Sequence, residues 1–121
     1  MTFQRKKLGQ LGEDLAAKFL QANGYKIIER NFRSKVGEID IVAEEDGWLV
    51  LVEVKCRFPG QFSLPEEAIT QNKIRHIARA GEYYQMVKNS PLAGPRIDVV
   101  AIEFGEDGKL TREEIIKNVT S

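Results

Sequence analysis

The chain has 121 residues, enough for one domain and too few for two ordinary ones, and its 42% hydrophobic and 30% charged residues are a globular balance rather than a disordered one. A single cysteine, Cys56, and a single histidine, His76, exclude a disulfide framework, a cysteine-cluster zinc site and a multi-histidine metal site within the chain. Net charge is zero, against a globally basic nucleic-acid coat protein, yet residues 1–35 hold eight Lys/Arg against three acids and residues 36–121 hold ten against fifteen.

The first predicted element is a helix over Leu8–Ala22. Leu8, Leu11, Leu15 and Phe19, with Ala16 and Leu20 beside them, recur at three- and four-residue spacing, and Asn23-Gly24 closes the helix. Glu13 falls on the flank of that stripe, at the edge of any cleft beside it. A strand follows from Tyr25 to Phe32, then a turn over residues 34–37. Two β-branched runs, Glu38–Ala43 and Trp48–Cys56, flank Asp46-Gly47, a strong two-residue hairpin signal. That loop sets Glu45 opposite Trp48, Asp40 opposite Glu53 and Glu38 opposite Lys55. The four charged residues then share one face, and Ile39, Ile41, Val50, Val52, Val54 and Cys56 form core on the other.

Arg57 to Leu64 reads as a loop. Ser63 with Glu66, and Pro65 between them, mark a helix start. One helix from Pro65 to Asn89 would span about 37 Å, too long for so small a domain, so a short helix near Pro65–Ile69 and a longer one over Gln71–Lys88 are expected. Ser90–Pro95 is a loop, Ile97–Phe104 a strand and residues 105–108 a turn. The tail from Lys109 to Val119 fits either a strand or a short helix. No apolar run reaches bilayer length and no signal-type segment opens the chain, so a cytoplasmic protein without membrane association is expected.

Several acids on one face of apolar strands need partners, because unpaired buried charge is costly. In one reading, Asp40 or Glu38 pairs with Lys55 or Arg57 as a salt-bridge network. In the other, Asp40 and Glu53 are hard oxygen ligands for Mg²⁺, which takes few carboxylates and keeps several waters. Lys55 would then stand beside a metal-bound water and a phosphoryl group. The pattern leaves both open.

Gly37-Glu38-Ile39-Asp40 followed by Val52-Glu53-Val54-Lys55 resembles the core of the restriction-endonuclease-like PD-(D/E)XK nucleases. More closely, the chain resembles the bacterial YraN family of predicted nucleases. The resemblance rests on Gly9-x-x-Gly12-Glu13, Gly24-Tyr25, Asn31-Phe32-Arg33, Gly37-Glu38-Ile39-Asp40, Val52-Glu53-Val54-Lys55-x-Arg57, Lys73 and Arg96-Ile97-Asp98-Val99-Val100, over about residues 8–104. It is similar also to archaeal Holliday-junction resolvases, which set a helix-borne glutamate beside the same triad. The resemblance implies an α/β fold of restriction-endonuclease-like type in one domain, residues 1–121, with a mixed central sheet flanked by helices. It implies Asp40 and Glu53 as ligands of Mg²⁺ or Mn²⁺, the Val54 carbonyl as a further ligand, Lys55 as the catalytic lysine, and Glu13 as ligand or water-holder. Glu38 stands where many restriction enzymes have proline. The implied activity is phosphodiester hydrolysis of DNA, with branched or structured DNA as the candidate substrate; the alternative is a nucleic-acid-binding module of the same fold without turnover.

Arg33, Lys35 and Arg57 are placed to meet a phosphate backbone, or are surface charges. Lys73, His76 and Arg79 make a basic edge on the long helix that either contacts nucleic acid or is simply solvated. Phe3, Phe58 and Phe62 either stack on bases or fold back as core caps. Tyr84 reads as core, and Cys56 faces away from Lys55. Asp98 is a supporting acid of the site, or is bonded to Arg96 or to backbone. A chain this small covers little nucleic acid alone, which is the argument for a homodimer.

Overall fold

Asp46 and Gly47 both take positive φ, 53° and 83°, the conformation a two-residue hairpin loop demands. Glu45 pairs with Trp48 accordingly, and the antiparallel ladder runs from there to Ile41–Val52. The computed structural model describes the backbone of residues 2–120 and the side chains of Lys7 and residues 9–120. Its elements are α1 (Thr2–Ala22), β1 (Lys26–Arg33), β2 (Glu38–Glu45), β3 (Trp48–Arg57), a 3-10 turn (Pro65–Ala68), α2 (Gln71–Lys88), β4 (Ala93–Phe104) and β5 (Leu110–Ile116).

The strands form one mixed sheet in sequence order, β1-β2-β3-β4-β5. Three pairings are antiparallel; β3 and β4 are parallel, because the 3-10 turn and α2 carry the chain back across the sheet. The architecture is thus α/β, with an apolar cluster on each face. On one side Ala16, Ala17 and Leu20 of α1 pack with Ile41, Val50, Val52, Val100 and Ile102. On the other, Ile77, Ala80 and Tyr84 of α2 pack with Phe32, Val42, Leu49, Leu51 and Ile97. Tyr84 meets the Phe32 ring edge-on at 4.9 Å, as a core residue.

Each helix is seated through a glycine. A Cβ on Gly12 would stand 2.5 Å from Cys56 Sγ, and one on Gly81 would run into Leu51. Close approach through small residues also explains a departure from the predicted stripe. The buried line of α1 runs through Gly12, Ala16 and Leu20, while Leu11 is exposed; Leu8 and Phe3 lie outside the described side chains. The helix also begins earlier than Leu8.

Other boundaries move for physical reasons. Glu67, not Glu66, caps the 3-10 turn, accepting the Leu64 N–H at 3.2 Å. Thr70 caps α2 by accepting the Lys73 N–H. The ambiguous tail is strand β5, which closes the sheet beside β4. Among the described residues, no helix is long and apolar enough to cross a membrane.

Candidate active site

Beyond Ile41–Val52 the β2–β3 ladder stops, and a side chain takes over. Asp40 Oδ2 accepts the backbone N–H of Val54 at 2.8 Å. The pleat of β2 breaks at the same residue: Ile39 packs on the α2 face and Ile41 on the α1 face. Strict alternation would have put both on one face, so the expectation that they share a core face is corrected. The β1 residue lying between the flanking pairs is Asn31, at φ 54°, a left-handed conformation that asparagine tolerates. The irregularity turns Asp40 toward α1 and opens the sheet at the carboxylates.

A cleft of about 650 Å³ results. Its lining includes Glu13 and Gln10 of α1, Asn31 and Arg33 of β1, Asp40, and Val54 with Lys55 of β3. Glu53, only 7% exposed, lies close enough to Asp40 for the two carboxyls to share a proton in a hydrogen bond. Burial first, then that hydrogen bond and the charge of Asp40, push Glu53 up to about 8 against the pull of Lys73 and Lys55. Burial and then Asp40 raise Glu13 as well.

Two buried carboxylate oxygens, Glu13 Oε1 and Glu53 Oε2, have no hydrogen-bond partner among the described residues. Lys73 Nζ is 3.3 Å from Glu53 Oε2, an ion pair without hydrogen-bond geometry. No three His, Cys, Asp or Glu side chains converge as a metal cage among the described residues, so Glu13 does not complete a tight triad with Asp40 and Glu53. A Mg²⁺ ion does not need one, since it is held by one or two carboxylates and its own waters. Asp40 in the cleft wall, with Glu53 against it and Glu13 lining the same cleft, supplies hard oxygen donors of the kind such an ion takes.

The expected residues divide. Glu13, Arg33, Asp40, Val54 and Lys55 line the cleft together, and Glu53 joins them through Asp40. Glu38 is exposed and lies three residues beyond the Ile41–Val52 end of the β2–β3 ladder, paired only with Arg33 of β1, so its predicted place opposite Lys55 is corrected. Lys35 is exposed and does not line the cleft. Arg57 is committed to protein, in an ion pair with Glu103 and a 3.3 Å bond to the Gln61 carbonyl. Lys73 reaches Glu53 rather than standing apart on a basic edge. None of the pairings of the salt-bridge reading, Asp40 or Glu38 with Lys55 or Arg57, forms among the described ion pairs.

Asp98 is fully buried on β4 beside Val52, yet it does not line the cleft: it is bonded to Tyr25 Oη at 2.7 Å, to Arg96 and to the Asn118 N–H. It is therefore a structural acid. Cys56, raised to about 11 mainly by burial, is inert as a nucleophile. Gln10 and Asn31 line the cleft without having been singled out for it. Gln10 was findable, three residues before Glu13 on the same helix flank.

A sequence model described as "Uncharacterised protein family UPF0102" matches residues 12–102. The chain belongs to the UPF0102 family. It is the same family as YraN. The UPF0102 protein of Syntrophomonas wolfei is 46% identical, covering 92% of this chain and 96% of its own length. That of Symbiobacterium thermophilum is 44% identical over 93% and 95%, and that of Caldicellulosiruptor saccharolyticus 40% over 94% and 97%. The UPF0102 match spans Glu13, Asp40, Glu53, Lys55 and Lys73, and so covers every acid of the cleft.

Proposed function

We propose that this chain is a metal-dependent nuclease of restriction-endonuclease-like fold that hydrolyses phosphodiester bonds in DNA. The observation that carries the reading is the Asp40–Glu53 carboxyl pair, drawn together where β2 and β3 part, with the Lys55 ammonium in the same cleft. Two carboxyls held together at a buried place, one of them raised toward its protonated form, make a ready site for a divalent cation, which would replace that proton. Asp40 and Glu53 would hold Mg²⁺ or Mn²⁺, with the Val54 carbonyl in reach and Glu13 facing the same space. Such an ion, when bound, lowers the pKa of a coordinated water and offsets charge at the phosphoryl group.

The chain's own groups account for the rest. The Val54 N–H fixes the Asp40 carboxylate, so that the acid does not depend on solvent for its orientation. Lys55 supplies a positive charge where negative charge develops on the non-bridging oxygens. Arg33 at the cleft wall offers a guanidinium for the flanking phosphate.

The test is cleavage of single-stranded and branched DNA with Mn²⁺ by the parent and by Asp40→Ala, Glu53→Ala and Lys55→Ala, alongside calorimetry of Mn²⁺ binding. Metal-dependent products from the parent alone support the proposal. DNA retardation that weakens steeply with salt, without products, would identify a binding module instead. Cleavage retained by all three variants removes these residues from the mechanism.

A further inference from the structure

Phe62 is 98% exposed, the most exposed large hydrophobic side chain among the described residues. It directly follows a braced turn. The Phe58 carbonyl accepts the Gln61 N–H at 3.2 Å, and Gln61 Oε1 accepts the Phe58 N–H at 2.8 Å. Arg57 braces the same turn through the Gln61 carbonyl, and Gly60 supplies the positive φ of 93°. The Phe58 ring stacks on Phe104 at 5.9 Å and ties the turn to the core. A phenylalanine exposed to water immediately after a braced turn is at odds with core capping, the fate that Phe58 meets.

The position matters as much as the exposure. Phe58 lines the cleft. A hydrogen-bonded turn keeps its ends within about 7 Å, and one further peptide adds 3.8 Å, so the Phe62 backbone stands within about 11 Å of Phe58. About three stacked nucleotides cover that distance at 3.4 Å each. We infer that Phe62 is a stacking platform for a nucleobase beside the cleft, so that the substrate is nucleic acid with an unpaired or splayed base rather than uninterrupted duplex. In a continuous duplex the faces of the bases are already covered by their neighbours; only an unstacked base offers a face to an aromatic ring. The inference rests on the nuclease reading for its ligand class.

The experiment measures anisotropy of labelled DNA in EDTA, with a forked duplex carrying single-stranded arms and a continuous duplex of equal length. The parent is compared with Phe62→Ala and Phe62→Trp, whose stability should match it because the side chain is in water. Stacking predicts tighter binding of the fork by the parent and roughly a tenfold or greater loss in Phe62→Ala on the fork alone. In Phe62→Trp binding is retained, and its indole emission is quenched by the fork. Equal fork binding by parent and Phe62→Ala overturns the inference while leaving the nuclease reading intact. Equal loss on both DNAs, or conversion of a dimer to a monomer by Phe62→Ala, also overturns it and makes Phe62 an interface residue. If Mn²⁺ yields no cleavage but the fork-specific loss persists, the nuclease reading fails and the stacking platform stands. Absence of binding to either DNA by the parent overturns the stacking platform, and the nuclease reading is then decided by the Mn²⁺ cleavage assay alone.

Discussion

Asp40 and Val54 are joined by a 2.8 Å hydrogen bond from the backbone of β3 to the carboxylate of β2, made just where the ladder between the two strands ends. One carboxylate thus does two things: it satisfies a half-buried N–H that has lost its strand partner, and it stands beside Glu53. The two roles separate by mutation. Asp40→Ala leaves the Val54 N–H without that acceptor and should cost about 1–3 kcal/mol in urea denaturation. Asp40→Asn keeps an oxygen acceptor and should cost clearly less. Both should abolish Mn²⁺ binding by calorimetry. Equal stability of the two variants would mean that the bond contributes nothing.

Glu53 makes stability depend on pH. Its carboxyl is held at about 8, above its ordinary 4.5, so the folded chain keeps a proton that the unfolded chain releases. The sign follows by linkage: the contribution is complete below pH 4.5 and is lost as pH rises through about 8. Thermal stability of the parent should therefore fall between these limits, by an amount on the order of a few kcal/mol. Glu53→Gln should flatten the fall and exceed the parent above pH 8. A divalent cation competes with the same proton, so Mn²⁺ affinity should rise over the same interval with proton release detectable in weakly buffered solution. A parent profile with no slope across the interval would contradict the assignment.

The seat of α1 on β3 predicts a specific compensation. Gly12→Ala puts a Cβ 2.5 Å from Cys56 Sγ and should destabilise by about 1–3 kcal/mol, because sulfur on a strand backbone has little room to retreat. Cys56→Ala alone should cost less. The double variant should recover most of the loss, a coupling measurable by a double-mutant cycle. Simple additivity would show that the helix shifts freely and does not fix Glu13 at the cleft.

The features legible in the sequence are those with local causes. Asp46-Gly47 announces the hairpin because both residues accept positive φ, and the length of residues 65–89 forces a break before α2. The acid–acid–lysine grouping follows from the hairpin register, although the register itself stops at Ile41. Counting by twos fails at Asp40, where the broken pleat lies opposite Asn31 of a different strand, at φ 54°. Leu11 misleads for a related reason. Size suggested a buried stripe, while Gly12 and Ala16 decide which face can come close to the sheet. The partners of Arg57 and Lys73 have no local signal, since Glu103 and Glu53 reach them only once β4 and α2 are in place.

Lys73 is the residue whose meaning changes most between sequence and structure, and its ion pair with Glu53 can be tested alone. Removing the ammonium 3.3 Å from Glu53 Oε2 takes away the charge that favours the ionised acid. Lys73→Met should therefore raise the Glu53 pKa further and move the pH profile of Mn²⁺ binding upward. The shift should be roughly half a pH unit, because a pair with one half-exposed partner contributes about 0.2–1 kcal/mol. Lys73→Arg restores the charge and should return the profile toward that of the parent. A residue that met only phosphate would behave otherwise: Lys73→Met would weaken DNA binding and its salt dependence, and leave the Mn²⁺ profile where it was.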